Sequence, residues 1–162
     1  MSAADSIGGS HRSSTRVTVQ DEVAKNALVA GPLGREWVAF AADAVLEIFP
    51  SGRPVRVPRT PPWVRGVVQR DGRMVTIVDL ASFCGMAPVD PLDVCVRVGV
   101  PGIAVAFGFE RVAHLDAVDG TPVPIIELPL DATWVEESLQ IGPRTVHWLD
   151  PVPLVAALQA GI

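Results

Sequence analysis

Ser138, His147 and Asp150 are the one set of residues whose types match a nucleophile, a base and an orienting acid. Their spacing does not assemble them. His147 sits inside Thr145-Val146-His147-Trp148-Leu149, a β-branched and aromatic run in which alternation makes it a strand residue on the exposed face. His114, between Ala113 and Leu115, reads the same way. No pair of carboxylates is brought onto one helix face by local spacing, so general acid–base chemistry has no candidate either. Cys84 and Cys95 stand alone in apolar runs, without a CxxC or a histidine at ligand spacing, and read as small buried side chains in neither a disulfide nor a zinc site. Gly31 with Gly34, and Gly99 with Gly102, lack the third glycine and the following helix that a phosphate-cradling loop needs. The expectation is a protein with no catalytic residues, metal or cofactor.

Charge points toward protein partners. Arg53, Arg56, Arg59, Arg65, Arg70 and Arg73 crowd into one stretch, whereas Asp116 to Asp150 is mostly acidic. The net charge of -5 argues against a general phosphate-backbone binder, and only Trp63 is interleaved with the arginines, so the aromatic ladder of a nucleic-acid platform is missing. The arginine-rich face therefore reads as solvated surface or as a protein-binding face. Trp37, Trp63, Trp134 and Trp148 read as core or inter-barrel packing. No run of about eighteen apolar residues is present to span a membrane. The start MSAADSIGGSHRSSTR has no apolar core like that of a secretory signal, so a cytoplasmic protein is expected.

The elements that must position these residues are short strands. Residues 1–26, rich in Ser, Gly and charge and including His11, read as a flexible tail; sustained apolar patterning begins at Ala27-Leu28-Val29 and leaves 27–162 as the folded part. The 15 prolines and 14 glycines cut the chain without a repeating period, which disfavours long helices. Trp37–Phe40 and Ala44–Ile48 read as strands before a turn at Pro50–Pro54. Val64–Gln69 and Arg73–Leu80 flank Asp71-Gly72, a strong hairpin signal. Asp93–Val100 and Ile103–Phe109 flank Pro101-Gly102, and Thr145–Leu149 precedes a short terminal helix over Val152–Gln159. The fold class is all-β, a sandwich or small barrels, and the length allows two barrels.

The central segment resembles the signature of the CheW family, the coupling proteins of bacterial chemotaxis. Its residues are Val57-Pro58-Arg59-Thr60-Pro61-Pro62-Trp63-Val64-Arg65-Gly66-Val67-Val68, then Gly72 to Leu80, then Phe83-Cys84-Gly85. Spacing agrees without a gap from about Leu28 to Gly85, and Val45-Leu46-Glu47-Ile48 is similar to the family's "V-x-E-I" strand. Beyond it, Val98–Val112 and Ile141–Asp150 match more weakly, and Val118–Leu139 matches poorly. The resemblance implies two packed SH3-like five-stranded β-barrels with a short C-terminal helix. In that frame Pro58 and Pro61 deny strand pairing, Gly66 permits a bulge or close approach, Gly72 supplies a positive φ, and Asp79 bonds backbone amides where its strand ends.

It further implies a non-enzymatic adaptor that links the cytoplasmic helical hairpin of a chemoreceptor to the regulatory domain of a CheA-type histidine kinase. Other CheW-like proteins are admitted as further partners. Val45 and Glu47 fall in the kinase-facing strand, with both side chains on one side by strand alternation. Arg65, Val67, Gln69, Arg70 and Asp71 fall in the receptor-facing segment. Three positions depart from the family pattern: Gln69-Arg70-Asp71-Gly72 replaces "N-L-R-G", Thr76 replaces a proline, and Ala106 replaces a glycine. Asp only accepts hydrogen bonds where a guanidinium offers five donors. Two other readings stay open: an accessory scaffold that keeps only one of the two partner surfaces, and a β-barrel small-ligand domain or enzyme.

Overall fold

The structure, a computed structural model, describes residues 26–125 and 130–161. The flexible tail read over 1–26, with His11, lies almost wholly outside the described residues. The strands are β1 (Ala27–Leu33), β2 (Glu36–Ala41), β3 (Val45–Pro50), β4 (Val64–Arg70), β5 (Arg73–Val78), β6 (Val94–Val100), β7 (Ile103–Phe109), β8 (Ala113–Asp116), β9 (Thr121–Pro122), β10 (Val135–Ile141) and β11 (Arg144–Leu149). Among the described residues from β1 onward two short α-helices follow, α1 (Leu80–Phe83) and α2 (Pro151–Ala160). None is long and apolar enough to cross a membrane among the described residues.

Strand order is β8-β1-β2-β11-β10-β9 in one sheet and β3-β6-β7-β5-β4 in the other. Each sheet curls until its edges meet through the chain itself. Val55, just beyond β3, exchanges both backbone hydrogen bonds with Val67 of β4 at 2.9 Å, which closes the second sheet as barrel B. In the first, β8 runs through a 3-10 turn at Ala117–Asp119 into β9, so the two edge strands are one bent strand and barrel A is closed. Closure removes the unpaired edges that would otherwise recruit other chains. Both barrels are five-stranded in this sense and SH3-like, as expected.

Three apolar clusters follow from strand alternation. Leu28, Trp37, Leu139 and Val146 fill barrel A, while Phe49, Val75, Ile77 and Cys95 fill barrel B. The opposite faces of the same strands form the core between the barrels, where the rings of Phe40 and Phe107 stack at 5.1 Å. Helix α2 starts at an Asp150 N-cap, whose side chain accepts from Val152 N, and buries Leu154, Val155 and Leu158 on this shared core. Trp37 and Trp63 are buried and Trp134 and Trp148 partly so, in keeping with packing roles.

Three sequence expectations need correction. The run Arg73–Leu80 is strand only to Val78, because Asp79 caps α1: its Oδ1 accepts from Ser82 N at 3.1 Å and its Oδ2 from Val89 N at 3.0 Å. The bonding of Asp79 to amides at the strand end is as expected; the helical turn that it starts is not signalled by the sequence pattern. Strand β10 has no counterpart among the strands expected from sequence. Its apolar alternation is broken by a bulge between Val135 and Glu137 and by two exposed acids. His147 is not on an exposed face but is 1% exposed. His114 is exposed on β8.

Candidate partner-binding surfaces

The β4–β5 hairpin is held at both ends. At the tip Asp71 and Gly72 take φ of 51° and 75°, so both central residues are left-handed, as a two-residue type I′ turn requires. At the base a bulge at Gly66, with φ 138°, brings the backbone against Val55, whose carbonyl oxygen lies 2.6 Å from where a Cβ would be. Only glycine fits there. Arg65, beside the bulge, donates through Nη1 to Asp79 Oδ2 at 3.0 Å and to the Val89 carbonyl at 2.8 Å. It anchors the α1 loop to β4, with Asp79 completely buried.

The predicted receptor-facing residues therefore separate. Val67 and Gln69 pair in register with Thr76 and Met74, so these four share the outer face of the hairpin, where Met74 is 58% exposed. That face runs into a cleft of about 140 Å³ between barrel B and α2, walled by Trp63, Thr76, Val105, Val155 and Leu158. Arg65 is engaged with Asp79, and Asp71 is exposed at the turn. Arg70 faces the other way. It donates to Glu47 Oε1 and its guanidinium lies 4.6 Å from the centroid of the Phe49 ring.

Strand β3 corrects a second expectation about orientation. Val45 pairs with Val98 and Glu47 with Arg97, two steps on β3 against one on β6, so a bulge lies between them. The bulge reverses alternation. Val45 packs on the inter-barrel core, whereas Glu47 joins Phe49 on the side that faces into barrel B. The apolar groups that this strand exposes are Leu46 at 62% and Ile48 at 37%. The sequence reading passes over them because it takes Val45 and Glu47 as the outward pair, whereas Leu46 and Ile48 alternate with the inward Glu47 and Phe49 and only Val45 is displaced by the bulge.

Electrostatics mark the open end of barrel B. The hydrogen bond from Arg70 draws the Glu47 carboxyl below its ordinary 4.5, against the opposing effect of burial, with Arg97 adding to the attraction. Arg70 is raised reciprocally by Glu47. Burial pushes the Cys84 thiol up to about 11 and the Cys95 thiol up to about 12, which makes both poor nucleophiles.

In barrel A, Ser138 and His147 do come together. Ser138 Oγ shares a hydrogen bond with His147 Nδ1 at 2.7 Å, and Nε2 faces Glu36 Oε2 at 2.6 Å. Asp150 takes no part, being the cap of α2. Glu36 was invisible to sequence reasoning because it comes from β2, far away in the chain. Glu36 and His147 reach the wall of an adjacent cleft. Ser138 is only 3% exposed and is not among the residues that line the cleft, so its hydroxyl is placed to tie β10 to β11 rather than to meet a substrate. No group of three or more potential metal ligands occurs among the described residues.

No curated protein matches the chain. Among solved structures it resembles the scaffolding protein TtCheW from Thermoanaerobacter tengcongensis, with a TM-score of 0.64 at 17% sequence identity over 78% of this chain and 89% of that one. At that identity the likeness speaks for the fold of two barrels. A model of the CheW-like domain matches residues 28–158, from the first residues of β1 to the last turn of α2. By that match, over most of its length, the chain belongs to the CheW-like domain family.

Proposed function

We propose that this protein is a non-enzymatic adaptor of a bacterial chemosensory system, joining the helical signalling tip of chemoreceptors to a histidine kinase of the CheA type in the cytoplasm. Membership of the CheW-like family supports the class. The observation that carries the receptor half is the outer face of β4–β5, where Val67, Gln69, Met74 and Thr76 lead into the apolar cleft beside α2. A helix laid along such a groove buries apolar side chains at low conformational cost to the groove. The kinase half rests on β3, where exposed Leu46 and Ile48 flank Glu47 and Val45 supports them from the core side.

Calorimetry tests both halves with a receptor signalling hairpin and, separately, a kinase regulatory domain. Met74→Glu is expected to weaken hairpin binding, and Leu46→Glu kinase binding, each by about tenfold or more, since charging an interface anchor typically costs 2 kcal/mol or above. Both residues are exposed, so the fold should survive either change. Binding of neither partner by the parent protein would overturn the proposal.

A second reading, a scaffold that keeps the kinase surface alone, has its own observation. The β4–β5 tip offers no free guanidinium at position 71, and Arg70 is engaged with Glu47. Under that reading the parent binds kinase but not hairpin, and Asp71→Arg restores hairpin binding by about tenfold or more, the scale of one charge-assisted hydrogen bond.

A further inference from the structure

Beside the Glu36–His147–Ser138 line of barrel A opens a cleft of about 320 Å³, walled by Glu36, Val123, Pro124, Gln140, Thr145 and His147. It has the size of a small-molecule site. What its polar residues have left to offer follows from the bonds that they already make. Gln140 Nε2 donates to the Gly142 carbonyl at 2.9 Å, and Thr145 Oγ1 gives its only proton to Gln140 Oε1 at 2.8 Å. His147 has no spare nitrogen, since Nε2 meets Glu36 Oε2 and Nδ1 meets Ser138 Oγ. One neutral tautomer serves both neighbours, with Nε2–H donating to the carboxylate and Nδ1 accepting from the hydroxyl, so Glu36 keeps its negative charge.

Acceptors therefore remain. Glu36 Oε1 takes no hydrogen bond among the described residues, Gln140 Oε1 has a second lone pair, and Thr145 Oγ1 can still accept. Val123, tied by its N–H to the Ser138 carbonyl at 2.9 Å, and Pro124 add an apolar wall beside them.

We infer that this cleft is a site for a primary alkylammonium group, with its charge on Glu36 and its carbon chain against Val123 and Pro124. An ammonium carries three N–H donors, one each for Glu36, Gln140 and Thr145. A guanidinium fits worse, because its fork calls for both oxygens of a carboxylate and His147 already holds one. The stretch from Asp116 to Asp150, from which most of the wall comes, is mostly acidic and draws cations toward it. His147 and Ser138 are positioning residues: their hydrogen bonds fix the carboxylate so that Oε1 is the oxygen left over. A free amine and the lysine side chain of a partner protein carry the same chemistry. The site lies in barrel A and does not depend on the adaptor surfaces of barrel B.

The test titrates the full chain by NMR with n-butylamine, with Nα-acetyl-lysine methylamide, and with butanol as the uncharged control. Both amines are expected to shift the amides of Val123, Gln140 and Thr145, and butanol to bind about tenfold more weakly or worse. Glu36→Gln keeps an acceptor for His147 and should weaken both amines by about tenfold, with its urea midpoint reporting whether the fold is retained. Thr145→Val, outside the His147 line, should weaken them by about threefold and decides the matter if Glu36→Gln unfolds. A lysine probe at least as tight as butylamine assigns the site to a partner's side chain, and a weaker one to a free amine. Equal binding of butanol, unchanged amine binding by the folded variants, or no shift at these three amides overturns the site.

Discussion

The two barrels share one arrangement and differ in what their polar residues join. In each, an antiparallel ladder meets another through a single parallel pairing, β2 with β11 in barrel A and β5 with β7 in barrel B. Barrel A is assembled from both ends of the folded chain, and its polar line Glu36–His147–Ser138, buried at His147 and Ser138, bridges residues 111 positions apart. Barrel B is continuous in sequence, and its ion pairs Arg65–Asp79 and Arg70–Glu47 span 14 and 23 positions. Distant strands must be held once their loop entropy has been lost, so the polar residues of barrel A serve closure. Those of barrel B sit beside its surface loops and hold the hairpin and β3 in the shapes that they present.

Replacing one polar residue in each barrel tests that contrast. Asp79→Ala should have the larger effect, a loss of about 3–5 kcal/mol, because it removes a fully buried acceptor from two backbone amides and leaves Arg65 without its counter-charge. Urea unfolding measures it, and hydrogen exchange should show the α1 loop loosened first. Ser138→Ala removes a neutral hydroxyl from His147 and should cost about 1–2 kcal/mol. A larger loss from Ser138→Ala than from Asp79→Ala would break the comparison, since the buried histidine would then be the stronger fastening.

The contrast also explains how much was legible in the sequence. Barrel B was readable because its strands pair with near neighbours and its turns carry local chemistry: Asp71-Gly72 and Gly102 sit at hairpin turns with positive φ. Barrel A was not, because β10 finds partners in β9 and β11 through a bulged, partly acidic strand, and nothing near Glu36 announces that its carboxylate will meet His147. The errors inside barrel B have one cause. Alternation fails wherever a bulge or a cap intervenes, so Val45 was read on the side of Glu47, and Leu80 was read as strand where Asp79 had already begun a helical turn. Of the candidate site, the segment was legible, but not the division that sends Val67 and Gln69 outward and Arg70 toward Glu47.

The smallest expected effect bears on the open end of barrel B. Arg70 holds the Glu47 carboxyl below 4.5 in the folded protein, whereas the unfolded chain titrates at the ordinary value. A depressed folded value contributes stability that is fully present above the unfolded one and is lost as pH falls through the folded one. The urea midpoint of the parent should therefore exceed that of Glu47→Gln at pH 6, and the gap should begin to narrow only below 4.5, closing once Glu47 is protonated in the folded state. The effect is modest because Arg70 keeps much of its hydration at the barrel rim. If the gap is the same at all pH values, Glu47 acts through packing on Phe49 and its neighbours rather than through charge. This end of barrel B would then be held by packing and not by an ion pair.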